Sequence, residues 1–439
     1  MMNLYGTMKV NSDGILNIGG IKTTDLIQKY GTPLLVIDEK ELMDNIDQYN
    51  NSFAKYYSNY KVVYGGKTFL NRTICKILGK KDMGLDVVSG GELFIAIKAG
   101  FPASDILFHG NNKLQDEIEM ALQYGIGRFI IDNQQEAQLV NRLAGKMGKK
   151  VNAILRVAPG IKAHTHEYIV TGHLDSKFGV SFAGGMAREV LKKYIIEFEN
   201  LNITGIHAHI GSQIFDLESY QKLIEVLFEF LEKVRQDTGE VLTELDLGGG
   251  LGVPYLRSDN PPSIAEFVRI ITEAVKNATS EYNYPLPRII VEPGRSIIGT
   301  AGTTLYQVGS IKQVPGNSKY IAVDGGMTDN IRPALYNANY EAILANRCYD
   351  EKEDRVNIAG KCCESGDILI KGAELPSANR GDILAITVTG AYTYSMASNY
   401  NGIPRPAVVL VKDGEDNLIN KRESYEDLLR NDIVPSHYQ

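Results

Sequence analysis

The stretch KVVYGGKTF, Lys61–Phe69, runs apolar and β-branched through Val62, Val63 and Tyr64, then breaks on Gly65 and Gly66 into Lys67. An apolar run closed by glycines reads as a buried strand, and the residue just past such a strand is where parallel β/α folds carry their chemistry. Outward from it, residues 60 to 295 alternate short apolar runs with amphipathic stretches, the rhythm of a parallel β/α fold. The predicted strands are Leu34–Asp38, Lys61–Gly65, Gly84–Val88, Asp105–His109, Arg128–Asp132, Ala153–Val157, Ile203–His209, Leu245–Gly248 and Ile289–Glu292. Gly90–Ala99 and Ser219–Val234 carry apolar residues at helical spacing, so crossover helices can join parallel strands. With Leu34–Asp38 taken as a lead-in strand outside the sheet, eight remain, the count of a (β/α)8 TIM-like barrel. A doubly wound sheet fits the same rhythm.

After about residue 297 the texture changes. KYIAVDGG, RVNIAGKCC, DILAITVTGAY and AVVLVKDG are β-rich and separated by Gly, Pro, Asp and Asn, which predicts a mostly antiparallel β-sandwich or barrel domain. ILNIGGI in the first 32 residues reads as β and can join it. The expected domains are a barrel over 33–296 and a β domain built from 1–32 and 297–439.

Composition narrows the function. A chain of 439 residues with 44% hydrophobic content can bury a large core, and 46 basic against 53 acidic residues give a formal charge of −7. No Lys/Arg-rich block offers a nucleic-acid surface. No stretch approaches the roughly 18 apolar residues of a membrane helix, and no signal-like segment opens the chain; a cytoplasmic location is expected. Cys75, Cys348, Cys362 and Cys363 are too few for a disulfide framework, so free thiols are expected.

Lys67 at a strand end can be a Schiff-base lysine, because an amine in a desolvating pocket loses its proton readily; on this stretch alone a solvated loop lysine is the simpler reading. DLGGGLGVPY, Asp246–Tyr255, puts Gly248, Gly249 and Gly250 after the seventh barrel strand, where backbone N–H groups can approach a phosphate; a tight turn is the alternative. VEPGR ends the eighth strand with Glu292 and Arg295. The carboxylate suits a protonated pyridine nitrogen and the guanidinium a phosphate or carboxylate, unless the two are an ordinary strand-end ion pair. HAHIGSQ places His207 and His209 on one side of a strand. A His-x-His zinc site competes there, but after His209 the next histidine is His437, so no metal is expected. The cofactor reading has one histidine stacked on an aromatic ring, with Gly211 and Ser212 on a phosphate.

Together KVVYGGKTF, HEYIVTGHLDSKFG, HAHIGSQ, DLGGGLG, VEPGR, NIRPALY, CCESGD and TGAYTYSMASNYN resemble, in order and over nearly the whole chain, the fold-type III pyridoxal 5'-phosphate (PLP)-dependent decarboxylases, the ornithine/diaminopimelate/arginine decarboxylase group with an alanine racemase-like barrel. The resemblance implies that Lys67 carries PLP, that His209 stacks on its ring and that Glu292 partners the ring nitrogen. It implies a phosphate cradle of Ser212, Gly248–Gly250, Gly294, Arg295 and Tyr392, and it extends the cofactor set to Asp86, Gly211 and Pro293. Arg295 and Tyr392 also reach substrate. Cys363, from the second subunit of a homodimer with shared active sites, matches the thiol that reprotonates the carbanion, with Lys67 the other candidate donor. Glu364 then holds the distal ammonium, and Arg332 with Tyr336 the distal carboxylate.

A second substrate carboxylate requires a cation at the far end, which a bidentate arginine supplies. The implied reaction is therefore decarboxylation of meso-2,6-diaminopimelate to L-lysine. Alternatives are a relative acting on D-ornithine or D-lysine, one of carboxynorspermidine type, or a non-catalytic PLP-binding relative. Two departures bear on fine substrate preference. Gly65, Gly66, Thr68 and Phe69 replace most of the family's YAxKAN around the lysine, and Tyr340 stands where a histidine is expected. Cys362 is expected on the opposite face of a strand as a small buried residue.

Overall fold

The computed structural model describes residues 3–161, 176–316 and 318–438. They form two compact units, Asn45–Val253 with Asn260–Ile297, and Met1–Asp44 with Pro254–Asp259 and Ile298–Gln439.

The first unit is a closed barrel of eight parallel strands: β1 (Tyr60–Gly65), β2 (Gly84–Val87), β3 (Ile106–Phe108), β4 (Arg128–Ile131), β5 (Val151–Ala158), β6 (Leu201–His207), β7 (Glu244–Asp246) and β8 (Arg288–Val291). Ile289 of β8 pairs with Tyr60 of β1, and Phe129 of β4 with Ala153 of β5. The ring therefore closes, which a doubly wound sheet cannot do. A short strand, Val180–Ser181, runs beside the end of β5.

Strand period 2 sends alternate side chains inward. Val63, Leu107, Ile130, Ile154 and Ile290, from five different strands, pack together as an interior layer. Each such burial contributes about 1.5–3 kcal/mol. Three outer helices, Gly90–Ala99, Gln134–Lys146 and Ile264–Glu281, begin on Ser89, Asn133 and Ser263, whose side chains accept from the N–H groups of Glu92, Glu136 and Glu266. Each cap satisfies an otherwise orphaned donor and is worth about 1 kcal/mol. Ser89 and Asn133 follow their strands within two residues, so these caps also fix the short loops at the carboxyl rim.

The second unit is a nine-stranded mixed sheet. Its order is Ile368–Leu375, Asp354–Ala359, Lys319–Val323, Gly302–Gln313, Leu34–Asp38, Ala407–Lys412 and Glu415–Asn420, with Ile383–Thr387 also on Gly302–Gln313 and Ala342–Leu344 beyond it. Most pairings are antiparallel. Two are parallel, Lys319–Val323 with Asp354–Ala359 and Leu34–Asp38 with Ala407–Lys412.

All five residues of Leu34–Asp38 are buried, so the strand needs neighbours on both edges and cover on both faces. It finds them in this sheet, between Gly302–Leu305 and Ala407–Val411. The strand and the residues up to Asp44, which fall inside the expected 33–296 span, therefore belong with the β unit, as does Pro254–Asp259. The N-terminal β segment joins the same core: Leu16 and Ile18 are fully buried with Leu34, Val36, Leu305, Ala385 and Val409.

Ile154→Ala, which opens a cavity at the fully buried centre of the barrel, is expected to lower the stability of the barrel's unfolding transition by about 2–5 kcal/mol. Urea denaturation checks this; an unchanged midpoint contradicts a packed interior.

Candidate active site

Apolar strands that end on a polar residue build the barrel mouth. Asp86 lies in β2, Arg156 in β5, His207 and Asp246 end β6 and β7, and His109, Asp132 and Glu292 come one residue after β3, β4 and β8. Closing the ring turns seven separate strand ends into one cluster.

Glu292 is its centre. His207 Nε2 lies 3.2 Å from Glu292 Oε2, and His109 Nε2 stands 2.6 Å from Oε1 without hydrogen-bond alignment. The two imidazoles meet edge to face at 5.0 Å between centroids. Burial alone would raise the Glu292 carboxyl, but His109 and His207 outweigh it and hold it well below the ordinary carboxylate range. The neighbouring Asp246 goes the other way, pushed well above that range by burial and by the charge of Glu292. Asp246 thus keeps its proton while Glu292 keeps its charge, and Gly248 N–H donates to Asp246 Oδ1 at 2.9 Å. Burial pushes the Asp86 carboxyl up to about 6, against the pull of His109, whose Nε2 is 3.9 Å away. Burial lowers His207, so it meets the carboxylate as a neutral ring donating from Nε2.

Lys67 follows β1 on a single turn, Gly66–Thr68, and is exposed. Its charge acts on Asp86, Glu92, His207 and His209. His209 is half-buried, and its surroundings together with the charge of Lys67 hold its imidazole well below its ordinary range, which leaves a neutral flat ring. The loop glycines are enforced by contact: a Cβ on Gly249 would lie 2.3 Å from the Glu292 carbonyl oxygen, and one on Gly294 2.1 Å from Thr68 Oγ1. Gly66 is similarly confined: a Cβ there would lie 2.6 Å from the Asp86 carbonyl oxygen, so no side chain fits between the Lys67 turn and β2. Arg295 is buried and donates from Nη2 to Ser212 Oγ at 3.0 Å. Gly211 and Pro293 lie in the same strand-end loops.

This set fits a PLP group. It offers an exposed lysine, a buried carboxylate oxygen, Glu292 Oε1, with no hydrogen-bonded partner among the described residues, and a glycine-lined loop beside a serine and an arginine.

Of the residues singled out in HAHIGSQ and VEPGR, His207 meets Glu292 and Ser212 meets Arg295. The sequence reading missed His109, Asp132, Arg156 and the carboxyl of Asp246. Their signal was there, in ILFH, FIID and ILR, each an apolar run closing on a titratable residue, and in the Leu245–Asp246 strand end. The histidine count after His209 overlooks carboxylates on later strands: Asp246 and Glu292, with His109 and His207, each place one ligand atom within 4.8 Å of the others. Of HEYIVTGHLDSKFG, residues 166–175 lie outside the described residues. In SKFG, Gly179 N–H bonds Asp132 Oδ1 at 3.0 Å and the Phe178 ring lies under the Arg156 guanidinium at 4.3 Å.

The remaining predicted residues lie in the β unit. Arg332 is buried and donates from Nη1 to Tyr255 and Tyr340 hydroxyls at 2.8 and 2.6 Å. Tyr336 ends the same short helix, Arg332–Tyr336, half-buried. Tyr392 takes φ 61°, a left-handed conformation costly for a bulky side chain and held here by the surrounding loop. Cys362, Cys363 and Glu364 sit in a bend between Asp354–Ala359 and Ile368–Leu375, not on a strand. Strand alternation therefore does not apply to the two thiols. Cys363 and Glu364 are exposed, and Cys363 N–H bonds Asn401 Oδ1 at 2.8 Å. Cys362 is half-buried, its thiol pushed up to about 11 by burial and Asp367. A cleft of about 520 Å³ in this unit is bounded by residues such as Leu256, Tyr340, Glu341 and Ile370; none of the predicted site residues lines it, and side-chain geometry, not cavity size, locates the chemistry.

A barrel with a strand-end lysine, a charged carboxylate between two imidazoles and a glycine loop at its mouth is the architecture of pyridoxal-dependent enzymes. The family description "Pyridoxal-dependent decarboxylase, pyridoxal binding domain" matches residues 43–299. The chain is 46% identical over 432 residues to the diaminopimelate decarboxylase of Bacillus subtilis, covering 98% of both chains, and 47% identical to that of Bacillus methanolicus, covering 96% of this chain and 98% of the relative. The structure of diaminopimelate decarboxylase from M. jannaschii in co-complex with L-lysine matches with a TM-score of 0.92 and 35% identity over 100% of both chains. The chain belongs to the diaminopimelate decarboxylase family.

The proton inventory of the mouth is testable. Folding raises Asp86 from 3.8 to about 6, so its contribution to stability is greatest below pH 4 and is lost as the pH climbs through 6. Asp86→Asn is expected to stabilise the cofactor-free protein by on the order of 2 kcal/mol at pH 7.5 and not at pH 4. Thermal midpoints at the two pH values check this; an equal shift at both contradicts it.

Proposed function

We propose that the protein removes one carboxylate of meso-2,6-diaminopimelate as carbon dioxide and leaves L-lysine, the last step of lysine biosynthesis, with PLP as its cofactor. The observation that carries the reading is the paired fate of two buried carboxyls, Glu292 held charged by His109 and His207 while Asp246 stays protonated, at the strand-end mouth that Lys67 borders.

PLP, when bound, supplies an electron-withdrawing pyridinium ring for the electron pair released as carbon dioxide departs. Lys67, exposed at the end of the first barrel strand, would hold the cofactor covalently. Glu292 holds the proton on the ring nitrogen; its two imidazole neighbours keep it an acceptor. His209, held neutral, would offer its flat ring to the pyridine. Ser212, Gly211, the Gly248–Gly250 run, Gly294, Arg295 and Tyr392 bind the phosphate, with Asp86 and Pro293 completing the cofactor's surroundings. Arg295 and Tyr392 also reach the substrate. Cys363 or Lys67 delivers the proton that replaces the lost carboxylate. Cys363 and Glu364 act from the partner subunit of a homodimer, Glu364 on the distal ammonium, while Arg332 and Tyr336 bind the distal carboxylate. A buried guanidinium among hydroxyls suits that last role, because a substrate lacking the second carboxylate leaves the cation unpaired, which is costly.

Carbon dioxide release with meso-diaminopimelate, L-lysine, L-ornithine and D-lysine tests the substrate. Turnover is expected with diaminopimelate far above the other three, and Arg332→Ala is expected to cut kcat/KM about 100-fold or more. Equal turnover of the mono-acids contradicts the assignment. Lys67→Ala is expected to abolish the visible absorbance band of the purified protein, and a band that survives the substitution contradicts the role of Lys67.

A further inference from the structure

Arg332 presents an unusual balance. Its side chain is buried, yet among the described residues it has no carboxylate partner and bonds only the hydroxyls of Tyr255 and Tyr340. Both bonds fall on Nη1, so neither hydroxyl takes the Nε–Nη2 edge of the fork, an edge that can accept a carboxylate side-on. The two rings also enclose the cation: the guanidinium carbon lies 5.0 Å from the Tyr255 centroid and 5.8 Å from that of Tyr340, within the range of cation–π attraction. The rings meet each other edge to face at 5.2 Å. Neutral hydroxyls and ring faces stabilise a buried cation without cancelling its charge, whereas an internal Asp or Glu would compete with an incoming anion.

We propose that Tyr255 and Tyr340 are positioning residues that lock Arg332 in one orientation through Nη1 and leave its charge for a ligand carboxylate, and so set the preference for a substrate with a carboxylate at its far end. This rests on the assignment of Arg332 to the distal carboxylate. Tyr255 comes from the loop after the seventh barrel strand and Tyr340 from the segment after the Arg332 helix, so two distant stretches of sequence converge on one nitrogen.

Ligand binding to the PLP-loaded enzyme separates positioning from general structure. L-Lysine retains the distal carboxylate and 1,5-diaminopentane has none. Calorimetry with both probes is made on the parent, Tyr255→Phe, Tyr340→Phe, Tyr340→Leu and Arg332→Ala. Each Tyr→Phe change is expected to raise the Kd of L-lysine and the KM of diaminopimelate about 5- to 20-fold, with the loss falling on KM more than kcat and the diamine's Kd within about twofold. Tyr340→Leu removes the hydroxyl and the ring, keeps the test readable should a phenylalanine variant not fold, and is expected to weaken L-lysine in the same direction. If Arg332→Ala weakens L-lysine and the tyrosine variants leave its Kd and the KM unchanged, the positioning role is overturned while the assignment of Arg332 stands. If Arg332→Ala also leaves L-lysine binding unchanged, both fall. Equal weakening of both probes marks a structural role and overturns the proposal.

Discussion

A negative charge held inside a barrel is the constraint from which the rest follows. The Glu292 side chain is 7% exposed, in surroundings where an isolated carboxylate would be neutralised by protonation. It stays charged because imidazoles from β6 and the end of β3 face it and because the adjacent Asp246 takes the proton instead. None of these groups is near another in sequence; a ring of eight strands is what delivers them to one point. Closure of β8 on β1 and of β4 on β5 is thus a condition of the chemistry as well as of stability. The same closure puts the tight turn of Lys67 beside β2, whose backbone leaves no room for a side chain at Gly66.

The β unit solves the converse problem with different means. Arg332 is a buried cation matched by hydroxyls and ring faces, not by a carboxylate. At Glu292 a fixed internal counter-charge preserves an acceptor. At Arg332 the lack of one, among the described residues, preserves an attraction for an external anion. Both follow from the same rule, that an ion out of water must be answered by something polar.

Much of this was legible in the amino-acid sequence because strand and helix periods are local. All eight barrel strands and the helix Gly90–Ala99 lie where the apolar pattern predicts them, with ends shifted by a residue or two. What periodicity cannot give is which strand ends meet. His109 was only the last residue of ILFH until the ring closed, and the histidine count after His209 misjudged the cluster because its other members are carboxylates. Leu34–Asp38 reads as a strand either way, and only its pairing partners, more than 260 and 370 residues away in sequence, assign it to the β unit. The CCES bend was misread as strand because GKCCESGD follows a true strand without a pause; the turn is set by Asp367, which accepts from Cys362 N–H. Tyr340 registered only as a departure from the family pattern, and its partnership with Arg332 and Tyr255 is a tertiary fact.

The charge on Glu292 is read most directly by the ¹⁵N resonance of the pyridine nitrogen in enzyme loaded with ¹⁵N-labelled PLP. The account predicts a protonated ring nitrogen at neutral pH in the parent and a shift toward the unprotonated position in Glu292→Gln. An unprotonated nitrogen in the parent, or one that Glu292→Gln leaves unmoved, contradicts it.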